Sequence, residues 1–339
     1  PVGLSILRGM APARRDFTRL RYSIALMLMA SYASSLGGLA TKVGTPPNLI
    51  GARMIEEHIH VSIPFFQWML LAFPLAFLMF LLMWAYLSWR CPADADIVVH
   101  AFRPASGERG VGRLTAGERN VLIAALVTML LWIVPGALAI VWGADDPRCK
   151  TLSAVLPESV AALVGLALLF VLPTDWKRRE FTLTWDDAVK IDWGTIFLFG
   201  GGLTLGDLMF STGLAEAIGN GLVSLTHAES MLGITFLFTL LAAAVSETTS
   251  NTASANMLVP IAIAVAKAAR VNPLLPALGA CLGSSMGFML PVSTPPNAIV
   301  YGSGCIPIAT MVRYGLLLDV IGVLVIFFGV VALGSLVLG

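Results

Sequence analysis

Charge is what this sequence has least of. Lysine, arginine, aspartate and glutamate make up 12% of its 339 residues, where a soluble domain carries about 25%. Most of its outer surface must therefore face something other than water. The few charges nearly cancel, to a net +1, which excludes an electrostatic binder of nucleic acid. Cysteine is scarce too. Cys91, Cys149, Cys281 and Cys305 stand far apart with no CxxC pair, so they are expected as free thiols or packing residues. His58, His60, His100 and His227 all fall near the ends of apolar runs. A histidine-based metal or proton site inside a membrane is not expected, nor a transition metal elsewhere. The chain opens Pro1-Val-Gly-Leu with neither an initiator methionine nor a signal peptide, which leads us to expect a preceding N-terminal part.

What is abundant is apolar sequence: 57% of residues are hydrophobic and the mean hydropathy is +0.85. A hydrocarbon core of about 30 Å needs about 20 residues per helical crossing. Runs of that order lie at 22–60 (interrupted), 64–89, 119–142, 153–173, 191–222 (interrupted), 273–310 (interrupted) and 312–338. A pair of shorter arms, 229–245 and 252–269, flanks Ser-Glu-Thr-Thr-Ser-Asn-Thr at 246–252. That tip is too polar for lipid, so the pair reads as a re-entrant hairpin, 229–269, with its tip inside protein.

Arginine and lysine orient these spans. Arg14, Arg15, Arg19 and Arg21 precede the first. Arg90, Arg103, Arg109, Arg113 and Arg119 lie around the 90–118 stretch, and Lys177, Arg178 and Arg179 follow the run ending at 173. Counting crossings puts all three groups on one side, the cytoplasmic one by the positive-inside rule. The turn-rich 90–118 stretch reads as a cytoplasmic linker. It divides the chain into residues 1–89, the remainder of a first repeat, and 119–339, a second repeat.

The repeat is visible in the letters. Residues 34–50 read SSLGGLATKVGTPPNLI and residues 284–300 read SSMGFMLPVSTPPNAIV. Both carry S-S-x-G and then T-P-P-N, at spacings that agree within one residue. Two prolines inside an apolar run remove two backbone donors and force the helix to break. The freed carbonyls cost several kcal/mol each in hydrocarbon unless something binds them. The asparagine is placed to cap the restarted helix. One such break could be a mere kink; two at corresponding places point to a binding device. Parity of the crossings makes the repeats inverted, the plan of secondary transporters with cargo at the midplane. At the hairpin tip, Ser250-Asn251-Thr252 caps a new helix. Its amides, hydroxyls and carboxamide suit the oxygens of a carboxylate without a fixed cation.

These segments carry a resemblance. SNTASANMLVP at 250–260, PVSTPPNAIV at 291–300 and GGLATKVGTPPNLI at 37–50 are similar to signatures of the divalent-anion/sodium symporter family. Asp192-Trp193 with FGGGLTLGD at 199–207 is similar to a further stretch of it. The match covers nearly the whole chain. It implies an all-α polytopic membrane protein with inverted structural repeats, a re-entrant helical hairpin and broken transmembrane helices. It further implies a homodimer in the inner (plasma) membrane that moves by an elevator mechanism. The cargo implied is a small dianion such as a C4-dicarboxylate or citrate, carried with Na+. A carrier of sulfate or another inorganic anion, and a sodium-independent dicarboxylate exchanger, are the alternatives.

By position, the resemblance assigns substrate to Ser250, Asn251, Thr252, Thr294 and Pro295. One sodium site falls to Ser246, Thr249, Asn251, Ser293 and Pro295, and the broken-helix side of a second to Gly44, Thr45, Pro46 and Asn48. The family carries another S-N-T tip shortly before a proline that matches Pro1. That tip is expected upstream, and the residues from Pro1 onward are not expected to transport alone. Lys42 departs from the rest, as a lysine near membrane depth is costly unless paired or hydrated. It either replaces one cation or meets Glu247 or solvent.

Other classes fit less well. An intramembrane aspartyl protease needs a second facing aspartate and usually G-x-G-D. Here Gly206-Asp207 is preceded by Thr204, and Asp319 lies near a span end. No enzyme is expected. A channel lacks a reason for asymmetric broken helices, and a proton-coupled or arsenite-type carrier of related architecture would work without sodium.

Overall fold

The computed structural model describes residues 21–92, 114–143, 146–226 and 230–338. Pro1, Arg14, Arg15, Arg19, His100, Arg103, Arg109, Arg113, His227 and most of the 90–118 linker lie outside the described residues. Among those described there are fourteen helices and one two-stranded ribbon. In chain order the helices are α1 (Arg21–Leu39), α2 (Pro46–Ile59), α3 (Phe65–Arg90), α4 (Ala116–Trp142), α5 (Pro147–Val155), α6 (Glu158–Val171) and α7 (Trp185–Ala188). They continue as α8 (Trp193–Ser211), α9 (Leu214–Thr226), α10 (Met231–Thr248), α11 (Asn251–Ala268), α12 (Leu274–Gly283), α13 (Pro295–Gly302) and α14 (Ile308–Leu338). The ribbon pairs β1 (Pro173–Asp175) with β2 (Glu180–Phe181), antiparallel.

Six helices, α1, α3, α4, α8, α10 and α14, are long and apolar enough to cross a membrane. The chain is an all-α polytopic membrane protein. Two details differ from the spans read in the sequence. The run at 153–173 is the bent pair α5–α6, with 50° between its arms. Pro157 caps α6 there; its ring removes a donor and keeps Leu156 out of the helical region. In the hairpin, α10 has 18 residues and passes the length for a crossing by itself, where the sequence suggested a short arm. The break in 191–222 falls at Gly213, whose φ of +76° is a conformation glycine adopts at no steric cost.

The described chain forms two compact units. One consists of Pro64–Gln67 and the residues up to Ile196 beyond the linker. Its spine is α4 on α6. Gly165 admits the Thr128 side chain at their crossing, and the Trp132 indole donates to the Glu158 carbonyl (2.9 Å). Thr115 and Glu118 close a capping box at the start of α4. Asn120 donates to the Pro173 carbonyl (2.9 Å) and the Thr182 hydroxyl (2.8 Å), tying the ribbon to α4. Asp192, just before α8, accepts from the Thr195 hydroxyl (2.6 Å) and amide (3.2 Å). Those bonds, the hydroxyl first, hold its carboxyl below the usual range.

The other unit contains α1, α2, most of α3 and everything from Phe197 on, so it draws on both halves of the sequence. Its centre is α12, ten residues all buried, about 15 Å long at 1.5 Å per residue and thus about half a crossing. Its Gly279 and Gly283 lie directly on Thr235 and Thr239 of α10. This is the small-xxx-small spacing that lets helix backbones touch without a hydrophobic driving force. On its other side, Cys281 fills the notch at Gly51 of α2 and its thiol donates to the Pro47 carbonyl (3.3 Å). All four cysteines are buried free thiols.

Candidate ion and anion site

The two T-P-P-N segments adopt one local conformation. Thr45 (φ −143°, ψ 150°) and Thr294 (φ −140°, ψ 149°) are the extended N-caps of α2 and α13, and the prolines occupy the first two helical positions. Proline is tolerated there because those amides have no intrahelical partner anyway. The asparagines, which the sequence suggested as caps, do not cap: Thr45 and Thr294 hold that position. From the third helical position the asparagines reach back across the break. Asn48 donates to the Gly38 (3.2 Å), Leu39 (3.3 Å) and Thr41 (2.8 Å) carbonyls. Asn297 donates to the Gly287 (2.9 Å) and Leu290 (3.1 Å) carbonyls. The offsets of ten and seven residues are the same in both, which aligns Gly38, and not Gly37, with Gly287 and leaves the serine pairs one residue out of register. Carbonyls left without a helical partner at each break are thereby satisfied.

The two broken helices also pack on each other. On one side α2 lies on α12. On the other α1 lies on α13, where the Ser31 hydroxyl donates to Asn297 Oδ1 (2.6 Å) and the Tyr32 hydroxyl to the Phe288 carbonyl (2.9 Å).

Residues 284–294, between α12 and α13, are held by two buried acids. Glu247, from the end of α10, accepts the amides of Met289 (2.8 Å) and Leu290 (2.9 Å), one on each oxygen. Asp319, from α14, accepts the amide of Phe288 (3.1 Å) on Oδ1; its Oδ2 is buried without a hydrogen-bond partner among the described residues. Three consecutive amides with no helix to join thus find acceptors, as a low-dielectric setting demands.

A group of neutral oxygens gathers around Gly287. The Ser246 hydroxyl lies 2.6 Å from both Asn251 Oδ1 and the Ser284 carbonyl. It has one proton and two acceptors within reach, so one short contact lacks a hydrogen. Ser293 Oγ donates to the Ser246 carbonyl (3.1 Å). A Cβ on Gly287 would overlap Ser293 Oγ and stand 3.2 Å from Asn251 Oδ1 and 3.3 Å from Ser246 Oγ. The missing Cβ therefore lets these oxygens close on the Gly287 backbone as a cradle walled by oxygen, the ligand that hard cations take.

The structure brings Ser246, Asn251 and Ser293 together here. Thr249 is not among them: it is exposed and its hydroxyl donates to the Val245 carbonyl (2.8 Å). Ser250 caps α11, accepting from the Ala253 amide (3.2 Å), with Asn251 and Thr252 half-buried in the first turn. Thr294 is buried and accepts from the Asn297 amide (3.4 Å), while Pro295 is exposed at the start of α13. The N-terminus of α11 presents its positive dipole end to an anion, whereas α13 opens on two prolines and its next amides, of Asn297 and Ala298, already donate to Thr294, so it offers its dipole end alone.

Gly44, Thr45, Pro46 and Asn48 form a separate group at the first break. Gly44 and Gly38 meet there too closely to admit a side chain on either. Thr45 Oγ1 and Asn48 Oδ1 are both buried with no partner among the described residues. Their counterparts on Thr294 and Asn297 are both occupied. Two unpartnered neutral oxygens beside a broken helix are of the kind that a small hard cation takes as ligands. Lys42 is half-buried in the same break.

Sequence reasoning missed Gly287, Glu247, Asp319 and Asn297 as parts of this site. Asn297 had a signal, being the repeat-mate of Asn48. Asp319, read in the sequence as lying near a span end, falls well inside α14, and an acid inside a span is a functional candidate by default.

The chain resembles characterised proteins along its whole length. It is 31% identical to the sodium-dependent dicarboxylate transporter SdcS of Staphylococcus saprophyticus and 30% identical to SdcS of Staphylococcus aureus (strain USA300). In each case all of this chain aligns, and it spans 65% of the relative's length. The profile of the family described as the sodium:sulfate symporter transmembrane region matches residues 4–338. With nearly every residue covered, the chain belongs to the sodium:sulfate symporter transmembrane-region family, a family of transporters and not of enzymes.

Proposed function

We propose that this chain forms the ion- and anion-binding core of a sodium-coupled carrier of small dicarboxylates, multi-pass in the plasma membrane and working by alternating access. The observation that carries the reading is the oxygen cradle at Gly287, built from the hairpin tip and the second T-P-P-N break together. Its groups are hydroxyls, a carboxamide and carbonyls, all neutral. A dianion brought to such a place leaves water without gaining a fixed counter-charge there, which is prohibitive alone. Glu247, just behind the loop, makes it worse. Cations that arrive with the cargo remove the conflict, and the unpartnered oxygens at Thr45 and Asn48 offer a second place for one. Binding of cation and anion is then mutually dependent, which is what coupling means.

The match between the two breaks supports an inverted repeat, and the crossing of α1–α2 with α12–α13 gives that repeat a shared centre. An elevator-type motion within a homodimer is the form of alternating access that the family resemblance implies. SdcS supports dicarboxylate as cargo; the description of the family itself favours sulfate as a second reading. The test is uptake by the full-length protein in proteoliposomes of labelled succinate, citrate and sulfate, with and without an inward sodium gradient. Succinate uptake that needs sodium supports the first reading. Sulfate uptake without succinate uptake supports the second, and uptake indifferent to sodium removes both.

A further inference from the structure

Away from this site, we propose that Glu57, His58 and Asp207 bind a divalent transition metal of the zinc(II) type and tie the end of α2 to α8. The three side chains offer one nitrogen and two carboxylate oxygens, all within 4.8 Å of one another. His58 Nε2 lies 3.5 Å from Asp207 Oδ1. Zinc bonds of about 2.0–2.2 Å in a tetrahedron place ligand atoms about 3.3–3.6 Å apart, so this pair already has the spacing of two ligands of one ion. His58 Nε2 is also buried and makes no hydrogen bond among the described residues. A ring nitrogen and a carboxylate oxygen at that distance, with no hydrogen bond between them, can both point at an ion lying to one side of the line that joins them.

The surroundings fix the ring. His58 stacks on Phe210 with centroids 3.8 Å apart, and its carbonyl accepts from Lys267 Nζ (2.8 Å). Arg53 engages Glu57 through Oε1, leaving Oε2 for a metal. Asp207 is exposed, which provides an entry path. An imidazole with two carboxylates selects zinc-like ions over magnesium or calcium, which prefer all-oxygen shells. Three protein ligands leave the fourth position to water. Arg53 and Lys267 place positive charge nearby, so binding is weaker than in a closed structural zinc site. None of these residues belongs to the cradle or the breaks, so the site stands independently of the transport reading. The sequence hides it because Asp207 comes from a helix far along the chain.

The experiment is titration of the purified full-length protein with Zn2+ by calorimetry, alongside His58→Ala and Asp207→Asn. Asp207 is exposed, so its variant keeps the fold. We expect stoichiometric binding to the parent protein, a tenfold or greater loss of affinity in each variant, and no competition from excess Mg2+. No stoichiometric binding to the parent, or equal binding by parent and Asp207→Asn, overturns the site.

Discussion

Asn48 and Asn297 perform one task in two places, each amide donating to carbonyls ten and seven residues upstream across a proline break. The break is a stitched structure and not a melted one. Replacing Asn297 by alanine strands the Gly287 and Leu290 carbonyls and the Ser31 hydroxyl together. A buried polar group left unsatisfied costs about 1–3 kcal/mol, so we expect Asn297→Ala to lose roughly 3 kcal/mol or more. Thermal unfolding in detergent reads this directly. An unchanged midpoint would mean that water serves these carbonyls equally well.

Gly287 lets the cradle oxygens close on its backbone. Gly287→Ala places a methyl group where three oxygens converge, so we expect sodium stimulation to disappear while the protein still folds. Gly221→Ala is the matched control, because a Cβ there meets nothing within 4 Å and alanine favours the helix by about 1 kcal/mol. Equal sodium dependence in both variants would show that the cradle holds no ion.

The two acids behind the loop should respond in opposite ways. Glu247 uses both oxygens as acceptors, so Glu247→Gln sets an amide donor against the Met289 or Leu290 N–H. The cost of that unsatisfied contact is about 1–3 kcal/mol. Asp319→Asn keeps one acceptor for Phe288 and puts a donor at the unpartnered Oδ2 position beside Glu247. We expect the first variant to be destabilised and the second to be at least as stable as the parent, read as unfolding temperatures side by side. The reverse order would refute this assignment of donors and acceptors.

The residues behind these predictions differ in how far they could be read from the sequence. Proline pairs and S-N-T are chemical statements, since they fix where a helix must stop and what caps the next, so the breaks and the tip were legible. The bend at Pro157 had the same signal in weaker form, hidden inside one apolar run. Contacts between distant residues left no such trace. Nothing local says that Glu247 and Asp319 meet across a loop, or that Gly287 faces Ser246 rather than lipid. Thr249 shows the converse. A hydroxyl beside the tip looks like a ligand in sequence, yet it turns back to the carbonyl four residues before it, as threonine does in helices.

At the first break, Thr45 Oγ1 and Asn48 Oδ1 are buried without a hydrogen-bond partner among the described residues. Thr45→Val preserves shape and removes one of these oxygens. We expect it to raise the sodium concentration needed for half-maximal uptake several-fold, with substrate affinity at saturating sodium little changed. A change confined to substrate affinity would move this oxygen from the ion to the anion.

The most direct test is sodium itself. Labelled succinate uptake into proteoliposomes is measured across a series of sodium gradients for the parent protein and for Ser246→Ala, which removes the hydroxyl shared by Asn251 and Ser284. Steep sodium dependence in the parent, lost or strongly right-shifted in the variant, is what a cation in the Gly287 cradle predicts. Uptake that ignores sodium in the parent, or an identical sodium curve in the variant, would contradict it.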